Sequence, residues 1–173
     1  MKENGKAGGL IVDVVYGLAA GVAATFVMGQ VSTYGYSLED EKTRQYEENL
    51  RHKEYPPEVL AGKVAKAVTG RELGEQEKQK LGMAVHWAYG IGWGDSFGAL
   101  RRRHPVVGAA GGVGFGLALW LVGDEAMMPL LGLSPPSTAF PWQNHARALV
   151  NHLAYGSSLA AAYSLLGRLR DAD

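Results

Sequence analysis

Residues 10–31 read LIVDVVYGLAAGVAATFVMGQV, a run whose one charge is Asp13 and in which Gly17, Gly21, Thr25 and Gly29 recur at four-residue spacing. A helix rising about 1.5 Å per residue crosses the hydrocarbon of a bilayer in about 20 residues, so the run is long enough to span one. Four-residue spacing lines the small residues up on one stripe, where a second backbone can approach closely. Lipid tails are as apolar as leucine, so helices in a membrane associate largely through such close contacts. The run therefore predicts a membrane helix packed against protein.

Three further stretches have the same character: residues 81–100, 105–122 and 146–167. Their small-residue stripes are Gly90, Gly94 and Gly98, then Gly108, Gly112 and Gly116, then Gly156 with Ala160. Glycine in turns keeps company with Pro, Asn and Asp, whereas these glycines recur regularly inside apolar runs. The expected fold is all-α: a single polytopic membrane domain over residues 1–173 with four transmembrane helices, packed through Gly17, Gly21, Gly90, Gly94, Gly108, Gly112, Gly116 and Gly156. The N-terminal run is too long for a signal-peptide core and lacks a small-residue cleavage site, so it reads as a retained span.

The mean hydropathy of −0.08 conceals this pattern because the charges are segregated. Residues 38–80 hold nine Lys/Arg and ten Asp/Glu of the 34 charges in the chain. The net charge is zero, which leaves no electrostatic footprint for nucleic acid. With no cysteine there is no disulfide, thiolate nucleophile or thiolate metal site. Within the polar insertion, Pro56-Pro57-Glu58 can start a helix whose apolar face is Val59, Leu60, Val64, Ala67 and Val68, ending at Thr69-Gly70. Such a helix lies on the membrane surface or caps the bundle. Good helix formers over 72–80 run on into the second span, making that span the end of a longer helix. Arg101, Arg102 and Arg103, with Arg168 and Arg170, favour cytoplasmic termini by the positive-inside rule, although the insertion's own basic residues count the other way.

His86-Trp87-Ala88-Tyr89-Gly90 in the second span reappears as His152-Leu153-Ala154-Tyr155-Gly156 in the fourth. The echo suggests a tandem repeat of two-helix units, the first carrying the polar insertion. Gly132-Leu133-Ser134-Pro135-Pro136, then Phe140-Pro141-Trp142, then His152 in a final span, together resemble the carboxyl half of the YagU-like bacterial inner-membrane proteins, whose function is unknown. The resemblance covers residues 111–167, and the His-x-x-Tyr-Gly run and the Pro56-Pro57 segment are similar to a related branch. It implies a multi-pass protein of the bacterial inner membrane and supplies no catalytic residues.

Ionisable groups inside spans are costly and so are functional candidates. His86 and His152 fall at equivalent depths, His145 lies two turns before His152, and Asp124-Glu125 ends the predicted third span on the same side. Imidazoles with carboxylates suit a transition metal held by His86, His145, His152 and Glu125. Paired His86 and His152 suit axial haem ligation, and a His, Glu and Tyr chain suits proton or solute handling. The competing expectation is that the histidines only hydrogen-bond neighbouring helices. Asp95 and Asp13 are expected to pair with arginines of the 101–103 triplet. No Gly-x-Ser-x-Gly arrangement supports hydrolysis, and Gly112-Val113-Gly114 lacks the preceding strand of a nucleotide-binding loop. The expected role is that of a non-enzymatic structural or accessory subunit whose partners are the lipid bilayer and a membrane protein or a second copy of itself. The alternative is a haem- or metal-binding, or proton- or solute-handling, protein built on His86 and His152.

Overall fold

The computed structural model describes residues 2–104 and 111–170, and every element among them is helical. α1 runs Lys2–Ser37, α2 Glu41–Leu50, α3 Pro56–Thr69 and α4 Glu75–Arg103. α5 (Val113–Ala118) winds directly into a π-helical stretch, Leu119–Met127, and ends in a single turn, α6 (Met128–Leu130). A 3₁₀ turn at Ser137–Ala139 leads into α7, Trp142–Arg170.

Local chemistry sets the boundaries of the polar elements. The Asp40 carboxylate accepts hydrogen bonds from the Lys42 and Thr43 amides and so begins α2. Pro56 and Pro57 lack the amide hydrogens that a first turn would leave orphaned. Glu58 reaches back to accept a hydrogen bond from the Tyr55 amide at 2.8 Å, as an acid at the third helical position can. Gly70, at φ 70°, closes α3 in the left-handed conformation open to a residue without a side chain. Glu77 repeats the Glu58 arrangement by accepting from the Gly74 amide at 3.0 Å, and α4 then runs unbroken through the predicted span at 81–100.

α1 packs antiparallel to both α4 and α7. A Cβ on Gly17 would meet the Asp95 Cα at 2.7 Å, and one on Gly21 would meet the Ile91 Cα at 2.9 Å. At the other end of α1, a Cβ on Gly35 would lie 3.3 Å from the Arg147 side chain. α4 and α7 therefore run parallel, and two hydroxyls of α7 bind the α4 backbone: Tyr155 donates to the Gly90 carbonyl at 2.5 Å and Tyr163 to that of Gly94 at 3.2 Å. α5 lies antiparallel on α7, with Gly112 against Gly156 and Gly116 against the His152 carbonyl. The core between the helices is made of small residues and a few larger side chains: Ala20, Ala24, Phe97, Leu119, Tyr155 and Leu159.

Among the described residues, two helices are long and apolar enough to cross a membrane, Val14–Ser37 with mean hydropathy 1.7 and Val113–Leu130 with 1.3. α4 and α7 have the length but not the apolarity, because each carries more polar and charged residues. The described part of the third apolar segment is helical from Val113. Its helix extends past 122 to Leu130, so Asp124 and Glu125 lie within it rather than at its end. Pro129, in the last turn, has no amide hydrogen for the Glu125 carbonyl, which accepts from the Ser137 hydroxyl instead, and Gly132 at φ 62° makes the stop. The first part of that predicted span, with Gly108, lies outside the described residues, as do the side chains of Asp13, Arg102 and Arg103 needed for the expected ion pairs.

Candidate functional site at the polar end of the bundle

Two imidazoles of α7 face two adjacent carboxylates of the π-helical stretch. His145 and His152 are seven residues apart, two turns, and so share a face. Asp124 and Glu125 can both turn toward that face because a π turn spreads over more residues than an α turn, which narrows the angle between neighbours. His145 Nδ1 lies 2.7 Å from Glu125 Oε1, and His152 Nδ1 lies 3.6 Å from Asp124 Oδ2. His152 is 8% exposed, whereas Asp124 is half-buried. The His152 Nδ1 also lies 2.9 Å from the Ala148 carbonyl. A carbonyl oxygen only accepts, so this contact puts the proton on Nδ1. Ser137 donates to the Glu125 backbone carbonyl at 2.7 Å and ties the 3₁₀ turn to the same place.

His86 lies on α4 and is half-buried. Tyr89, one turn on, stands edge-to-face against Trp93 at 5.9 Å and is 45% exposed, while its sequence counterpart Tyr155 is buried on the Gly90 carbonyl. The two copies of the repeated pentapeptide thus occupy parallel, adjoining helices but hold their tyrosines differently. Where a carboxylate orients a ring, the ring's Nε2 remains as the acceptor or ligand atom. Among the described residues, however, no three His, Asp or Glu side chains gather at a point that could hold a metal ion.

A second polar cluster, not anticipated from the sequence, lies beside the first. Glu47 of α2 is completely buried, and its Oε2 accepts hydrogen bonds from Arg147 of α7 at 2.5 Å, Asn144 at 3.2 Å and Arg51 at 3.3 Å. Arg147 also donates to Glu39 at 2.5 Å, and its guanidinium lies 5.3 Å from the Tyr36 ring centroid. Arg51 stacks over Phe140 at 4.6 Å. This network fastens the polar insertion onto the bundle. Its signal was in the sequence all the same. Arg147 is the only Lys or Arg between residues 104 and 167, and a lone cation in an apolar stretch needs a buried acid.

No curated protein and no solved structure matches this chain. A family model does match, over residues 47–161, and it covers most of the insertion, the His-carboxylate pairs and the α5–α7 contact. Its description carries no activity. The chain belongs to that family, described as a protein of unknown function, DUF1440.

Proposed function

We propose that this is a four-span protein of the bacterial inner membrane with cytoplasmic termini, acting as a non-enzymatic structural or accessory subunit of a membrane assembly. In this reading α1, α4, the continuous rod from α5 to α6, and α7 are the spans. The observation that carries it is the inverted distribution of size. Ala20 and Ala24 are fully buried, while Phe26 is 56% and Leu121 54% exposed, and Val15, Leu18, Val22 and Leu117 also face outward. A water-soluble bundle hides its large apolar side chains and a lipid-embedded one need not, so the glycine contacts serve as the helix-helix interfaces. The subunit role is supported by Gly29 and Gly92, which are helical glycines with nothing within 4 Å and so leave close-approach surface open. The test is alkaline extraction of membranes followed by cross-linking in native membranes. The chain is expected to stay in the pellet and to cross-link to a partner or to itself. Release into the supernatant would overturn the membrane reading, and a monomer without cross-links would overturn the subunit role.

The His145–Glu125 and His152–Asp124 pairs favour a second reading, a haem- or metal-binding or proton-handling protein. Absorbance near the haem Soret band and elemental analysis of the purified protein test the cofactor. Unchanged function in a His86→Ala, His152→Ala double variant would exclude the transport form.

A further inference from the structure

α3 has two dissimilar sides. One packs on α4: Gly82 is so close to α3 that a Cβ there would lie 2.6 Å from the Glu58 side chain and 3.0 Å from its backbone, and Gly62 faces Lys78. The other side carries Val64, which is 52% exposed, and Val68, which is 78% exposed. Four residues apart on a helix, these two are surface neighbours. Two independent markers give the depth of this helix. The first is its contact with α4 around residues 78–82, where the charged start of that helix gives way to its apolar part. The second is Lys63, whose ammonium donates to the Leu131 and Gly132 carbonyls at 3.0 and 2.8 Å, at the very end of the apolar helix Val113–Leu130. Leu130 and Leu131 there are 81% and 54% exposed.

Accepting the membrane reading above, we propose that α3 is an interfacial helix set in the headgroup region of the same bilayer, with Val64 and Val68 inserted beside Leu130 and Leu131. The apolar face of α3 then continues the lipid-facing surface of the span, while Lys63 caps carbonyls that would otherwise end unpaired at the membrane boundary. α3 runs antiparallel beside α4, with Glu58 at Gly82 and Gly62 at Lys78, so its exposed face enters the headgroup region steeply, Val64 at the level of Lys63 and Val68 one turn farther out.

The chain has no cysteine, so each introduced cysteine is the only labelling site. Val64→Cys, Val68→Cys, Phe26→Cys and Gln45→Cys variants of the full chain are spin-labelled and reconstituted in phosphatidylethanolamine/phosphatidylglycerol vesicles. Collision with oxygen, which partitions into lipid, is compared with collision with a water-soluble nickel chelate. Labels at 64 and 68 are expected to show an oxygen-to-nickel ratio severalfold above that at 45 and below that at 26. Nickel accessibility at 64 and 68 equal to that at 45, with 26 still in lipid, would overturn the interfacial helix and leave the membrane reading intact. Labels at 64 and 68 immobilised and closed to both reagents would mean that protein covers this face, which also overturns the proposal. A nickel-accessible label at 26 would overturn both.

Discussion

Between α1 and α4 the contact is backbone against backbone: a Cβ on Gly94 would sit 2.5 Å from the Gly21 Cα and 2.6 Å from the Gly17 carbonyl. Between α5 and α7 the same device recurs, with Gly112, Gly116 and Gly156 leaving no room for side chains, yet the α5 helix then rewinds into a π stretch that presents Asp124 and Glu125 to His152 and His145. The first pair of helices meets through small residues along its contact. The second uses them as a base on which a polar cluster is built, and α7 is held a second time by the buried Glu47. The same close-approach device therefore tolerates a polar cluster beside it, because Asp124, Glu125 and His145 sit about two turns beyond Gly116 and the His152 carbonyl, and His152 meets the glycine only through its backbone.

The comparison breaks most severely at Arg147. Arg147→Met leaves the fully buried Glu47 carboxylate without its principal cation. Removing one member of a buried pair costs about 3–5 kcal/mol. Unfolding of the detergent-solubilised protein should show this loss, and a Glu47→Met, Arg147→Met double variant should recover most of it. If the single variant were as stable as wild type, the second pair would not depend on the insertion.

Glycine substitutions probe what the two pairs share. Gly94→Ala and Gly112→Ala each drive a Cβ into backbone. Overpacking of this kind costs about 1–3 kcal/mol, and more where backbone must move. Gly92 has open space around it. Gly92→Ala should therefore be neutral or stabilising by up to about 1 kcal/mol, because alanine is the better helix former. Equal losses at 92, 94 and 112 by the same unfolding measurement would remove the basis for treating the glycine stripes as contacts.

A smaller effect separates the pairs chemically. Glu125→Gln weakens the 2.7 Å contact to the partly buried His145. The loss should be that of a single hydrogen bond, about 0.5–1.5 kcal/mol. Nuclear magnetic resonance of protein labelled in its histidine rings and glycine backbones should show the change confined to His145 and its neighbours. A response at Gly21 or Gly94 would instead couple the two pairs.

The smallest effect lies outside both pairs. The Thr43 hydroxyl, with the Thr43 and Lys42 amides, holds the Asp40 carboxyl below the usual carboxylate range. A group whose pKa is lowered on folding contributes stability above its unfolded value and loses it as pH falls through the folded one. Amides in the first turn of α2 should therefore exchange faster as the solution is acidified through and below the ordinary carboxylate range, and Asp40→Asn should flatten that dependence. Exchange independent of pH after correction for intrinsic rates would show that the cap is not holding α2.

Much of this was legible in the order of residues. Spacing of small residues marked Gly17, Gly21, Gly90, Gly94, Gly112, Gly116 and Gly156 as one class, and each has backbone or a side chain at its missing Cβ. Gly29, in the same stripe, has none, because periodicity specifies a face but not what lies opposite it. That His145 and His152 share a helical face was also accessible, since they are two turns apart, but which carboxylate each one meets was not. The π winding was not, because Leu119–Met127 contains residues that would serve equally in an α-helix. Nor was the partnership of Glu47 with Arg147, which stand far apart in the chain.

Hydropathy, glycine spacing and the clustering of charge, all local properties, by themselves determined the helical class, the division into apolar helices and a polar insertion, and the start and stop of α3. Only the tertiary structure decided which glycines are filled by a neighbouring backbone, that α4 and α7 run parallel with Tyr155 on the Gly90 carbonyl, and that the insertion is clamped through Glu47. Those outcomes depend on distances between segments far apart in the chain. A buried charge or a missing Cβ acquires its meaning from whatever the fold places within a few ångströms of it.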